Sequence, residues 1–119
     1  MKNESIIRSY FSGWERKDWN SVESLLADGF TFTSPNDDDH IDKRRYKEKC
    51  WPWAPTLERF DIEKVIENET EAFVKYEAWT TSGRSYTSAE YFRLRNGKIE
   101  AIEVFFGVPH PSLADAWGA

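Results

Sequence analysis

With 119 residues, 39% hydrophobic and 16% aromatic, the chain has the size of one domain and must build its core from six Trp, eight Phe and five Tyr rather than from aliphatic side chains. Sixteen Lys and Arg against 21 Asp and Glu leave a formal net charge of -5, and the one basic run, Lys43-Arg44-Arg45, closely follows Asp37-Asp38-Asp39, which argues for a solvated mixed-charge surface and against nucleic acid as a partner. The lone Cys50 excludes an internal disulfide and a cysteine-rich zinc site and suits a reducing, cytoplasmic setting, while the amphipathic N-terminus lacks the apolar run of a signal peptide or membrane helix.

The spacing of Ile6, Ile7, Tyr10, Phe11 and Trp14 predicts a first helix with one apolar face. Asp18 then serves as N-cap for a short second helix carrying Trp19, Val22, Leu25 and Leu26, ended by Ala27-Asp28-Gly29. Phe30 to Thr33 alternates as a strand and is stopped by Ser34-Pro35. A polar loop over 36–40 leads to a third helix from Ile41 to Trp51, with Asp42 near its start and Pro52 at its end; Trp51-Pro52-Trp53-Ala54-Pro55 is expected to be irregular. Strands follow at about 60–66, 72–79, 86–94 and 99–106, joined by turns at Asn68-Glu69-Thr70, Ser82-Gly83 and Asn96-Gly97, the last being the strongest hairpin signal. Helices first and a meander afterwards give an α+β domain spanning 1–119, with its core at about 5–108 and a tail over 109–119.

Strand alternation puts Ser88, Glu90, Phe92 and Leu94 on one face and Ala89, Tyr91, Arg93 and Arg95 on the other; the apolar set Ile102, Val104 and Phe106 is assigned to the concave side. Glu90 is then a carboxylate among apolar neighbours, either with a raised pKa and a hydrogen bond to donate, or paired in a salt bridge. Trp14, Phe32, Asp38, Trp51, Trp53, Tyr76, Phe92, Val104 and Phe106 are the candidate lining of the pocket so formed. Tyr10 either aims its hydroxyl at Glu90 or is plain core. His40 lies in the loop near the pocket mouth, where Asp38 or Asp39 could orient it as a base, although aspartates before a helix also serve as N-caps. Three consecutive carboxylates cannot all aim at one ion and no other motif completes a site, so no metal is expected; no organic cofactor is expected either. Trp79, Tyr91, Arg93, Glu103 and Phe105 fall on the opposite face, where aromatics mixed with charges suggest a protein interface. His110, in a Pro-bounded tail, is given no role.

The paired helices with Trp14 and Asp18-Trp19, the passage Leu26-Ala27-Asp28-Gly29-Phe30-Thr31-Phe32-Thr33-Ser34-Pro35, the third helix and the meander together resemble the SnoaL-like and ketosteroid-isomerase-like branches of the nuclear transport factor 2-like superfamily. The resemblance spans about residues 5–108 and is most specific at 26–35. It implies a curved antiparallel sheet packed as a cone on three N-terminal helices, a small apolar or aromatic ligand, and a homodimer through the convex face. Members include isomerases, cyclases, hydratases, epoxide hydrolases and non-catalytic binders, so the fold leaves function open. Tyr10 and Glu90 look like the tyrosine and acid that donate to the oxyanion in ketosteroid isomerases. Their base, an aspartate just before the proline, is replaced by Ser34, which cannot take a proton at neutral pH and argues against steroid isomerisation. His40 or a loop aspartate would have to move the proton in a cofactor-free acid–base enzyme. The alternative is a non-catalytic ligand-binding or dimerisation module.

Overall fold

The computed structural model describes residues 3–36 and 38–109, with side chains as far as Phe105, so Asp37, His110 and the side chain of Phe106 lie outside the described residues. Helix α1 covers Asn3–Glu15 and α2 covers Trp19–Glu23; β1 is Leu26–Ser34, β2 Asp38–Asp42 and α3 Lys43–Cys50. A 3-10 helix over Trp51–Thr56 leads into β3 (Leu57–Glu67), β4 (Glu71–Thr80), β5 (Ser85–Arg95) and β6 (Lys98–Pro109). The six strands form one curved, unclosed sheet in the order β2-β1-β6-β5-β4-β3. Register shifts within the β1/β2, β3/β4 and β5/β6 pairs mark bulges, which bend strands and increase twist. No helix among the described residues is long and apolar enough to cross a membrane.

Local chemistry accounts for much of this. Asp18 caps α2 by accepting from the Ser21 N–H at 3.2 Å, and Asp42 caps α3 by accepting from the Arg45 N–H at 2.9 Å. Asn96 and Gly97 both take positive φ, 52° and 76°, as a tight hairpin requires.

Four elements differ from the sequence-based expectation. The second helix stops at Glu23, and Leu26 to Gly29 are already strand, because Leu26 pairs with Ile99 and the Ile99 N–H donates to the Leu25 carbonyl at 2.8 Å. The expected loop over 36–40 and the start of the third helix are instead largely β2: Ile41 pairs with Phe32 and Asp38 with Ser34, the ladder overriding the poor strand propensity of Asp and His. The Trp-Pro segment after Cys50 is a 3-10 helix, with Pro52 in its first turn, where the missing N–H costs nothing. The sheet is mixed rather than antiparallel, since β1 runs parallel to β6. Strands joined by tight turns must reverse direction, whereas the long connection between β1 and β6 imposes no such limit.

Helix α1 buries Ile6, Ile7, Tyr10, Phe11 and Gly13. Its inner face meets a core containing Phe30, Val74, Phe92, Ile99 and Ile102, each no more than 1% exposed. Gly13 is where α1 and α2 approach: a Cβ there would lie 2.8 Å from Val22 Cγ2, on a β-branched side chain with little rotamer freedom. Gly13→Ala is therefore expected to destabilise the fold by about 1–3 kcal/mol by overpacking, even though alanine is the better helix former. Adding Val22→Ala should recover part of that loss in urea unfolding.

Candidate functional site

Glu90 sits in the middle of β5, opposite Val74 on β4 and Val104 on β6, with its side chain on the buried face. The residue is 6% exposed, and the Tyr76 hydroxyl donates to its Oε2 at 2.5 Å. No ion pair joins Glu90 to a cation among the described residues. Burial pushes its pKa from 4.5 up to about 7, against the opposing pull of the Tyr76 hydrogen bond. A carboxyl in that state exchanges its proton near neutrality. As an acid it donates to an oxygen, and as a carboxylate it accepts a proton.

Hydroxyls and one thiol surround this group. The Tyr10 and Tyr46 hydroxyls bond to each other. Burial holds both well above the ordinary tyrosine value, and the charge of Glu90 adds to the effect on each. Tyr76 is raised in the same way, by burial first and Glu90 next. Burial also carries Tyr86 to about 12, with Glu90 contributing. The Cys50 thiol is pushed up to about 12 by burial, then by the charge of Asp38 and more weakly by Glu90, so it is an inert thiol rather than a nucleophile. Residues from α1, α3, β4 and β5 therefore converge on one carboxyl. Among the described residues no group of three or more His, Cys, Asp or Glu stands close enough to hold a metal ion.

Residues 7–102 match the SnoaL-like domain. The chain belongs to the SnoaL-like family. No curated protein matches it in sequence. Among solved structures it resembles an NTF2-like protein of unknown function from Cytophaga hutchinsonii, with a TM-score of 0.73 and 15% identity over 90% of this chain and 91% of that one. A de novo designed protein with a curved β-sheet gives a TM-score of 0.76 and 17% identity over 98% and 93% of the two chains. TerC, co-crystallised with polyporic acid, gives 0.75 and 16% over 88% and 91%. At such identities the likeness is one of fold.

In this SnoaL-like protein the candidate residues separate into two groups. Glu90, Tyr10, Tyr76, Phe32, Phe92 and Val104 are all buried, with Phe32 packed 4.7 Å from the Tyr46 ring and Phe92 5.6 Å from Tyr10. Trp14 and Trp51 are half-buried and lie against each other at 4.6 Å. Asp38 is also buried; its Oδ2 accepts from the Ser34 hydroxyl at 2.6 Å, and its Oδ1 meets only the Lys49 ammonium. Trp53, by contrast, is 65% exposed. The structure does not bring His40 to Glu90: its ring is 72% exposed, its Nδ1 lies 2.6 Å from Asp39 Oδ1, and its backbone is left-handed at φ 53°.

Tyr46, Cys50 and Tyr86 are the interior residues that sequence reasoning missed. Tyr46 and Cys50 stand four apart on one face of an otherwise charged helix, and Tyr86 shares the parity of Ser88 and Glu90, so both patterns were present in the sequence. Two clefts indent the surface elsewhere, one of about 430 Å³ lined by residues including Lys43, Arg95 and Lys98 and one of about 400 Å³ lined by residues including Trp19, Arg44 and Lys47. Neither is lined by Glu90 or the tyrosines around it.

Proposed function

We propose that this SnoaL-like protein binds a small apolar or aromatic molecule in the interior bounded by α1, α3 and the concave sheet face, with Glu90 as the group that exchanges a proton or hydrogen bond with it. One observation carries the reading: a carboxyl enclosed by aromatic side chains, without a described cation, whose pKa is driven to about 7 by burial. Apolar and aromatic walls with a few convergent polar groups are what a small-molecule site requires. The co-crystallisation of the similarly folded TerC with polyporic acid supports a small-molecule role for a protein of this fold. In the enzymatic form of this reading Glu90 works with Tyr10 on a ligand oxygen, which is acid–base chemistry of the isomerase, cyclase or hydrolase kind and draws on no cofactor. The exposure of His40 favours a second form, in which the site binds without turnover.

A thermal-shift screen of small aromatic and isoprenoid compounds tests this, because a ligand that binds only the folded state stabilises it by mass action. Compounds that raise Tm are expected to perturb the NMR signals of Glu90, Tyr76 and Phe92. Perturbations confined to Lys43 and Lys98, or no stabilisation by any compound, would contradict the proposal.

The convex face is proposed to bind a second copy of the chain. Phe73 and Phe105 are 51% and 46% exposed there, and Ile66, Phe73, Tyr91 and Glu103 are in register across four strands, with the Phe73 and Tyr91 rings 5.2 Å apart. Trp79 and Arg93 lie on the same face, which would be self-complementary about a two-fold axis. Sedimentation should give a dimer for the wild type and a monomer for the Phe73→Glu, Phe105→Glu double variant. A wild-type monomer at micromolar concentration would rule this interface out. The lone, half-buried Cys50 supports a reducing, cytoplasmic setting.

A further inference from the structure

What the interior around Glu90 lacks is positive charge. The residue is 6% exposed; its Oε2 accepts from the Tyr76 hydroxyl, and no described donor reaches Oε1. The groups within its electrostatic reach are the hydroxyls of Tyr10 from α1, Tyr46 from α3, Tyr76 from β4 and Tyr86 from β5, and the Cys50 thiol at the end of α3; the charge of Glu90 raises all five. None of these groups carries a positive charge in either of its protonation states. Asp38 from β2 acts on Cys50 as a second negative charge. Lys49 also acts on Cys50, but it is held by Asp38, its ammonium donates to the Asn36 carbonyl at 3.0 Å, and it adds nothing at Glu90. The remaining strands, β1, β3 and β6, contribute apolar side chains, among them Phe32, Phe60 and Val104.

Buried carboxylates in native proteins are almost always paired, because burial of a lone charge is costly. Glu90 has one hydrogen bond and no cation, which is why burial holds its proton on up to a pKa of about 7. A partner that completes the ionised form must bring both a positive charge and an N–H donor. A hydrocarbon brings neither, and an alcohol brings a donor without the charge. The aromatic shell favours the same partner. Tyr76, which bonds to the carboxyl, has its ring 5.2 Å from those of Phe11 and Phe60, and the Tyr10 ring lies 5.6 Å from Phe92. Such rings attract ammonium groups through their quadrupole, most strongly where water is excluded. The formal net charge of -5 draws cations towards the chain at long range.

We propose that this interior takes a protonated amine on an apolar or aromatic body, with Glu90 Oε1 accepting from the ammonium N–H and the surrounding aromatic rings stabilising the cation. Amines are therefore selected over alcohols and hydrocarbons of the same shape. The inference rests on the small-molecule reading above and specifies its ligand class.

Indane, 1-indanol and 1-aminoindane share one bicyclic skeleton, and the amine of the last stays protonated up to pH 8. Their affinities for the wild type and Glu90→Gln are to be measured by calorimetry and NMR titration at pH 5.5 and 8. At pH 8 the wild type is expected to bind 1-aminoindane roughly ten- to a hundredfold more tightly than indane, as one charge-assisted hydrogen bond allows. Its affinity should fall roughly tenfold or more at pH 5.5, where only a small fraction of Glu90 is ionised and competent to bind. Calorimetry at pH 6 in buffers of different ionisation enthalpy should show release of roughly one proton for each amine bound. Glu90→Gln should lose the amine preference, its pH dependence and the proton release together. Equal binding of the amine and indane, tightest binding of 1-indanol, or binding without proton release would overturn the amine site and leave the small-molecule reading intact. An amine preference that persists in Glu90→Gln marks attraction to the acidic surface only and would overturn it in the same way. Binding of none of the three, while other compounds of the thermal-shift screen bind, would overturn the amine site alone; binding of no compound in either experiment would overturn both.

Discussion

Replacing Glu90 with Gln is expected to remove a loss of stability that the wild type suffers as pH rises from about 4.5 to 7. The folded-state pKa of Glu90 is raised, to about 7 against the ordinary 4.5, so across that interval the folded protein holds a proton that the unfolded chain has released. Folding then takes up a proton, and stability falls with rising pH through the window and levels off above it. A difference of that size corresponds to about 3 kcal/mol, a large share of the stability of a small domain. Glutamine keeps an acceptor for the Tyr76 hydroxyl but has no charge to bury. Urea unfolding at pH 4.5, 6 and 8 should show Glu90→Gln gaining on the wild type at each step. A constant difference between the two proteins would mean that Glu90 is not the buried carboxyl described above.

Phe11→Ala should be the most damaging single truncation at the site, at about 3–5 kcal/mol in urea unfolding. The Phe11 side chain is 2% exposed, and its ring meets four others: Tyr10 at 5.4 Å, Phe60 at 4.8 Å, Tyr76 at 5.2 Å and Phe92 at 6.0 Å. These rings come from α1, β3, β4 and β5, so the cavity left by alanine cannot close without moving the helix against the sheet. Tyr76 also carries the hydrogen bond to Glu90. The variant should therefore broaden the Glu90 titration as well as lower the unfolding midpoint, whereas Phe11→Leu, which retains most of the volume, should do much less of either.

The sequence by itself determined whatever depends on neighbours along the chain. The i, i+3, i+4 stripe of α1, the Asp18 and Asp42 caps, the Asn96-Gly97 turn and the two-residue alternation that turns Glu90 inward are all local signals, and each has its counterpart in the structure. Tertiary structure alone decided what depends on partners far away. The β1–β6 ladder claims Leu26 for a strand and makes the sheet mixed, and pairing with β1 draws Asp38 to Asp42 out of the expected loop and helix start. The same pairing turns the Asp38 carboxyl inward, and the bulge opposite Phe32 and Ser34, with the left-handed backbone of His40, leaves that ring in solvent although it stands two residues further along the strand. The meeting of Tyr10 and Tyr46, 36 positions apart, is equally invisible to any local pattern. Helix periodicity put Tyr10 on an inner face, but only the packing of α1 and α3 against the curved sheet decided that its hydroxyl would be enclosed with that of Tyr46 near Glu90.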